Sequence, residues 1–144
     1  MLFQNILVPY DDSKCALHAF EIAIDMAKKY NSNLVVITNI ASSIHGTWFS
    51  DYRYGASILK KEKKGANEAL SKLESIAKKR GVEIVTDVLE SNSLVKKLVS
   101  FAKSKKIDLI VMGTHGRTGL DKLIVGSVAS GVSQRVGCPV LLVR

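Results

Sequence analysis

Four glycines (Gly113, Gly116, Gly119 and Gly126) fall within the stretch GTHGRTGLDKLIVGS, residues 113–127, directly after the apolar run IDLIVM. Glycine costs backbone entropy on folding, so a cluster needs a physical reason. One is chemical: glycine-rich backbone that ends at a helix N-terminus gathers N–H groups into a concave seat for phosphate. The spacing predicts that this loop wraps its amides around a polyanion. Thr114 and Arg117 add donors, and Ser127 both caps the following helix and offers its hydroxyl. His115 lies in the same loop, near enough in sequence to approach a phosphate. The patterns of a Walker A loop, a nicotinamide-dinucleotide site and an acyl-transfer enzyme are not found. There is no G-x-x-x-x-G-K-[ST], no G-x-G-x-x-G after the first strand, and no G-x-S-x-G.

A second polar segment, VPYDDS at 8–13, carries adjacent acids. Asp11, at the carboxyl end of a predicted strand, suits ribose hydroxyls or a divalent ion, whereas Asp12 is expected to cap the next helix. Paired acids here also suggest a phosphoacceptor domain. Such a domain needs an Asp at the end of the third strand and a Lys at the fifth; Asp87 falls inside its strand, and GCPVLLV has no lysine. Three histidines (His18, His45, His115) and two cysteines (Cys15, Cys138) show no metal-ligand or disulfide spacing. Both thiols are expected buried and reduced, and no structural zinc is expected. Without an activated nucleophile or paired acid and base, a dedicated enzyme is not indicated. Slow Mg²⁺-dependent ATP hydrolysis stays open, because phosphoryl transfer needs mainly positioning and charge stabilisation.

The elements that must hold these residues alternate. Short aliphatic runs at 4–10, 33–40, 82–89, 107–113 and 139–144 read as strands, several of them apolar throughout, as in a sheet covered on both faces. Between them lie segments of helical period: 13–30, with Ser13 as N-cap; 56–80, with Ala66, Ala69, Leu70, Leu73, Ile76 and Ala77 as its stripe and Gly81 as its stop; 92–105; and a last helix from near Ser127. The order β-α-β-α-β-α-β-α-β predicts an α/β fold with an open five-stranded parallel sheet and helices on both faces. Residues 41–55, with Trp48, Tyr52 and Tyr54, read as a long loop. Strand order does not follow from the pattern. If it is 3-2-1-4-5, VPYDDS and GTHGRTG meet where the order reverses, the usual place for a ligand.

Composition sets the remaining bounds. The chain of 144 residues is 47% hydrophobic and 24% charged, which suits one globular domain over 1–144. No run approaches the roughly 20 apolar residues of a membrane helix. The opening residues have no basic n-region, so a cytoplasmic protein without an export signal is expected. The net charge of +8 favours anionic partners. The lysine clusters at 60–64, 78–80 and 103–106 sit on helical patterns, and no aromatic array accompanies them, which argues against nucleic acid as the partner.

The pattern Gly113-x-x-Gly116, nine residues, then Gly126-Ser127 resembles the nucleotide-binding signature of the universal stress protein family. The opening ILVPYDDS and the closing GSVASGVSQRVGCPVLLVR are similar to the same family, so the resemblance spans nearly the whole chain. It implies sheet order 3-2-1-4-5, a Rossmann-like fold, a homodimer through the last strands, and bound ATP with Mg²⁺. By position, Gly113, Thr114, His115, Gly116, Gly126, Ser127 and Val128 would surround phosphates and ribose. Pro9, Tyr10 and Asp11 would lie by ribose and adenine, the backbone of Asn39 and Ile40 would edge the base, and Met112 would wall it. Asp12 departs from the family pattern, leaving open which of Asp11 and Asp12 faces ligand. The implied function is an ATP-binding stress-response regulator, read by a dimer surface or protein partner. The alternative is a nucleotide-free interaction protein of the same fold, against which stands the intact glycine set.

Overall fold

The computed structural model describes residues 2–41, 52–115 and 125–144, with 52–54 described by backbone only. Five strands, β1 (Asn5–Pro9), β2 (Asn33–Ile40), β3 (Ile84–Glu90), β4 (Leu109–Gly113) and β5 (Val140–Val143), alternate with four helices, α1 (Lys14–Tyr30), α2 (Tyr52–Lys79), α3 (Leu94–Ser104) and α4 (Ser127–Arg135). All neighbouring strands pair in parallel in the order β3-β2-β1-β4-β5, as the family resemblance implies.

Two cores lie on the two faces of this sheet. Ile6 and Val8 of β1, Leu34 and Val36 of β2, and Leu109 and Val111 of β4 point to α1 and α2, meeting Phe20, Ile24, Leu70 and Leu73. The alternate residues Leu7, Ile37, Ile110 and Met112 point to α3 and α4, meeting Leu98, Ala102, Ala129 and Val132. Central strands are thus covered on both sides, which is why β1 and β4 are apolar at successive positions. Each fully buried aliphatic side chain contributes about 1.5–3 kcal/mol. β3 lies at the sheet edge and reads differently: Val85 is 63% exposed.

Helix ends follow local chemistry. Ser13 caps α1, its Oγ accepting from the Ala16 N–H at 3.1 Å. α1, α2 and α3 each stop at a left-handed residue, Asn31 (φ 55°), Gly81 (φ 77°) and Lys106 (φ 52°). In each, the next amide reaches back five residues: Ser32 to Ala27, Val82 to Ala77 and Ile107 to Ala102, at 2.9–3.0 Å. This Schellman turn satisfies the last carbonyls and feeds the chain into a strand.

Several expectations are corrected. Residues 52–55, assigned to a loop, belong to α2; no proline separates them from the periodic segment, and helix propagation past the apolar stripe is cheap once nucleated. Residues 42–51 lie outside the described residues. Ile76 is 38% exposed, because the buried stripe is the narrower set Ala66, Leu70, Leu73 and Ala77. Cys15 and Cys138 are free but only half-buried. Burial, then the charge of Asp108, pushes the Cys138 thiol up from its ordinary value, so it stays protonated at neutral pH. Among the described residues no helix is long and apolar enough to cross a membrane.

Asp108, just before β4, accepts from two amides at the start of β1, Gln4 N–H at 2.8 Å and Asn5 N–H at 3.0 Å. Asp108→Ala removes both bonds, one at an exposed amide and one at a part-buried amide, and urea denaturation is expected to show a loss of about 1 kcal/mol.

Candidate functional site

The sheet order reverses between β1 and β4, and a cavity of about 250 Å³ opens at their carboxyl ends. Strand ends supply Pro9, Tyr10 and Asp11 after β1, Ile37 and Asn39 from β2, and Met112, Gly113, Thr114 and His115 from β4. Helix starts supply Ala16 of α1, Leu94 of α3, and Ser127, Val128 and Ala129 of α4 behind Gly126. An adjoining cavity of about 500 Å³ shares Tyr10, Asp11 and Asn39 and runs under α2 past Asp12, Ile40 and Glu62.

Thr114 is the pivot, the only buried polar residue among those described. Its N–H donates to Val143 O at 2.8 Å and its carbonyl accepts from the Gly126 N–H at 2.7 Å. One residue thereby ties the end of β4 to the end of β5 and to the start of α4. Its Oγ1 lies 2.8 Å from His115 Nδ1. The other ring nitrogen, Nε2, is buried without a partner among the described residues.

The glycines act differently from expectation. Neither Gly113 nor Gly126 has a positive φ; Gly126 sits at φ −60°, ψ 158°. Each is small because protein backbone passes close. A Cβ on Gly113 would lie 2.7 Å from Cys15 Cβ and 3.0 Å from Ala16 N, and one on Gly126 would lie 2.9 Å from Thr114 O. Gly113 therefore lets the first turn of α1 rest on the end of β4.

Ser127 does not cap α4. It is the first helical residue, Gly126 is the N-cap, and no side chain bonds the cap. A glycine in that place satisfies the steric demand of Thr114 O and has no oxygen to offer. The first intrahelical bond comes from Ser130 N–H to Gly126 O at 2.9 Å, so the amides of Ser127, Val128 and Ala129 precede the ladder. The amides of the loop thus divide: Thr114 and Gly126 bond within the protein, and those of the first turn of α4 carry the helix's partial positive charge.

The two acids also separate. Asp11 Oδ1 accepts from the Ser13 N–H at 3.0 Å in an Asx turn and lines both cavities. Asp12 sits at φ 66° and accepts from the Tyr10 hydroxyl at 3.0 Å, lining only the second. Asp12 does not cap α1, because Ser13 does. Ile40 lines the second cavity alone, and its carbonyl accepts from the Ser91 N–H at 3.1 Å. Gly116 and Arg117 lie outside the described residues. The other eleven residues singled out from the sequence, leaving Ile40 aside, border the first cavity. Sequence reading missed Ala16, Ile37, Leu94 and Ala129; three lie in a helix's first turn and Ile37 lies mid-strand, level with Pro9 at the end of β1, and only the known strand order brings them together. Among the described residues, no group of three or more His, Cys, Asp or Glu could hold a metal ion.

A parallel sheet in this order, with a crevice at its reversal, is a Rossmann-like doubly wound α/β protein. The family model of the universal stress proteins matches residues 2–144, and the chain belongs to that family. A universal stress protein of Methanocaldococcus jannaschii is 37% identical, the match covering 99% of this chain and 83% of the relative. Among solved structures, the universal stress protein UspA from Lactobacillus plantarum superposes with a TM-score of 0.89 at 27% identity, covering 100% of this chain and 99% of the other. A universal stress protein solved in complex with cAMP has a TM-score of 0.75 at 26% identity, covering 100% and 99%.

The steric account of the glycines has a direct check. Gly113→Ala is expected to destabilise the ligand-free protein by about 1–3 kcal/mol through overpacking. Gly65→Ala, in α2 with nothing near its absent Cβ, should instead stabilise it by about 0.5–1 kcal/mol. Thermal and urea unfolding of the two variants would separate them by sign.

Proposed function

We propose that the protein binds an adenine nucleotide, ATP first, in the crevice between β1 and β4, and that occupancy regulates a protein surface. The observation that carries this reading is the meeting of the unladdered first-turn amides of α4 with Thr114 and His115 on one cavity at the switch point. A relative solved with cAMP supports it. Phosphates would lie against Ser127, Val128 and Ala129, and the sequence pattern assigns Gly116 and Arg117 to them as well. The ribose would lie by Pro9, Tyr10 and Asp11, and the base between Met112, Val128 and Asn39. Asp11 is the one carboxylate lining the first cavity among the described residues, so a Mg²⁺ entering with the nucleotide would be held mainly by phosphate oxygens, with Asp11 its protein contact. Any hydrolysis would be slow, resting on positioning alone.

The regulatory half of the proposal follows from connectivity. α4 begins at the phosphate seat and leads directly into β5, the sheet edge opposite β3. Leu141 on β5 is 39% exposed, and a second copy would cover it. A cytoplasmic homodimer through β5, read by a further protein partner, completes the reading. Sedimentation is expected to give twice the 15.7 kDa chain mass, and Leu141→Lys to return it to one; a wild-type monomer would remove the dimer.

Ser127→Pro tests the phosphate seat. Proline at the first helical position suits the helix, but it removes one amide and the hydroxyl. Calorimetry should show ATP affinity falling about 10–100-fold with unfolding temperature unchanged, in keeping with loss of charge-assisted bonds. Unchanged affinity would refute the seat.

A further inference from the structure

Asn39, next to last in β2, lines both cavities. Its Nδ2 donates to Ser91 O, beyond the end of β3, at 3.2 Å. A carbonyl only accepts, so the amide nitrogen must face Ser91, and this bond fixes where the amide oxygen goes. That oxygen is buried and has no hydrogen-bond partner among the described residues. A buried acceptor left unpaired is costly and calls for a donor. The neighbouring hydroxyls are committed elsewhere: Thr38 Oγ1 donates to Tyr10 O at 3.0 Å, and the Tyr10 hydroxyl donates to Asp12.

The cavity's walls narrow the choice of donor. Ile37, Leu94, Met112 and the side chains of Val128 and Ala129 give the cavity a largely apolar lining, suited to a flat ring and unsuited to a hydrated cation. A donor that suits such a lining is an N–H on the edge of an aromatic heterocycle. Resting on the nucleotide reading above, we propose that the Asn39 side chain is the specificity determinant for the base: its Oδ1 accepts from the exocyclic 6-amino group of a purine. A 6-oxo purine would set carbonyl against carbonyl at this point and be rejected, and a purine with only hydrogen at position 6 would leave Oδ1 unpaired. The role belongs to the side chain and adds to any contact made by the strand backbone.

The test is a cycle between protein and ligand, read by calorimetry with ATP, inosine triphosphate and purine riboside triphosphate, which carries hydrogen at position 6. Wild-type protein is expected to prefer ATP to the 6-hydrogen analogue about tenfold or more, with the 6-oxo analogue weaker still. In Asn39→Leu the preference for ATP over the 6-hydrogen analogue should fall below about threefold, while affinity for that analogue is retained. Each ratio is taken within one variant, so a partial loss of folded protein cancels, and Asn39→Ala serves as the second variant if leucine overfills the site. Wild-type binding with no preference at position 6, or a preference surviving in both variants, overturns the role of Asn39 alone. Failure of all three triphosphates to bind wild-type protein overturns the nucleotide reading and this assignment with it.

Discussion

The end of β4 is where three chain segments come closer than side chains allow. The first turn of α1 lies against Gly113, and the Gly126 N–H bonds the Thr114 carbonyl at 2.7 Å, with no room for a Cβ on either glycine. The Thr114 N–H holds the last residue of β5 in the same place. Steric permission at two positions and two backbone bonds at a third thus decide where α1, α4 and β5 sit. The crevice follows from that convergence: its floor is the strand ends, and its rim is helix first turns that cannot be shifted without breaking one of these contacts.

The same constraint explains why the site is made of backbone more than of reactive side chains. Thr114 and Gly126 spend their amides on architecture, and the orphan donors are left to the first turn of α4. Around them the lining is largely aliphatic, from Ile37, Leu94, Met112 and Ala129, residues that also belong to or adjoin the α3–α4 core. Core and site are therefore continuous. The walls of the crevice are as firmly set as the packing beneath them, and among the described residues the buried side-chain atoms left unpaired are those of Asn39 and His115.

Much of the architecture was legible in residue types and spacing. Successive apolar residues in β1 and β4 reported strands covered on both faces, Ser13 and Gly81 marked helix ends, and the glycine pattern with ILVPYDDS pointed to the family. Local chemistry determined these because capping, left-handed turns and two-sided burial each act over a few residues. The tertiary structure decided the rest. Strand order depends on which surfaces pack across the sheet, so only the fold joined Ala16, Ile37, Leu94 and Ala129 to one cavity. It also reversed the meaning of Gly113 and Gly126, from backbone freedom toward a ligand to close packing within the protein, and it moved the cap of α4 from Ser127 to Gly126. Composition cannot distinguish a glycine needed for its torsions from one needed for its missing Cβ; that depends on which neighbour stands there, and the neighbour is supplied by a residue far away in sequence, Cys15, for Gly113, and by the chain's return past Thr114 for Gly126.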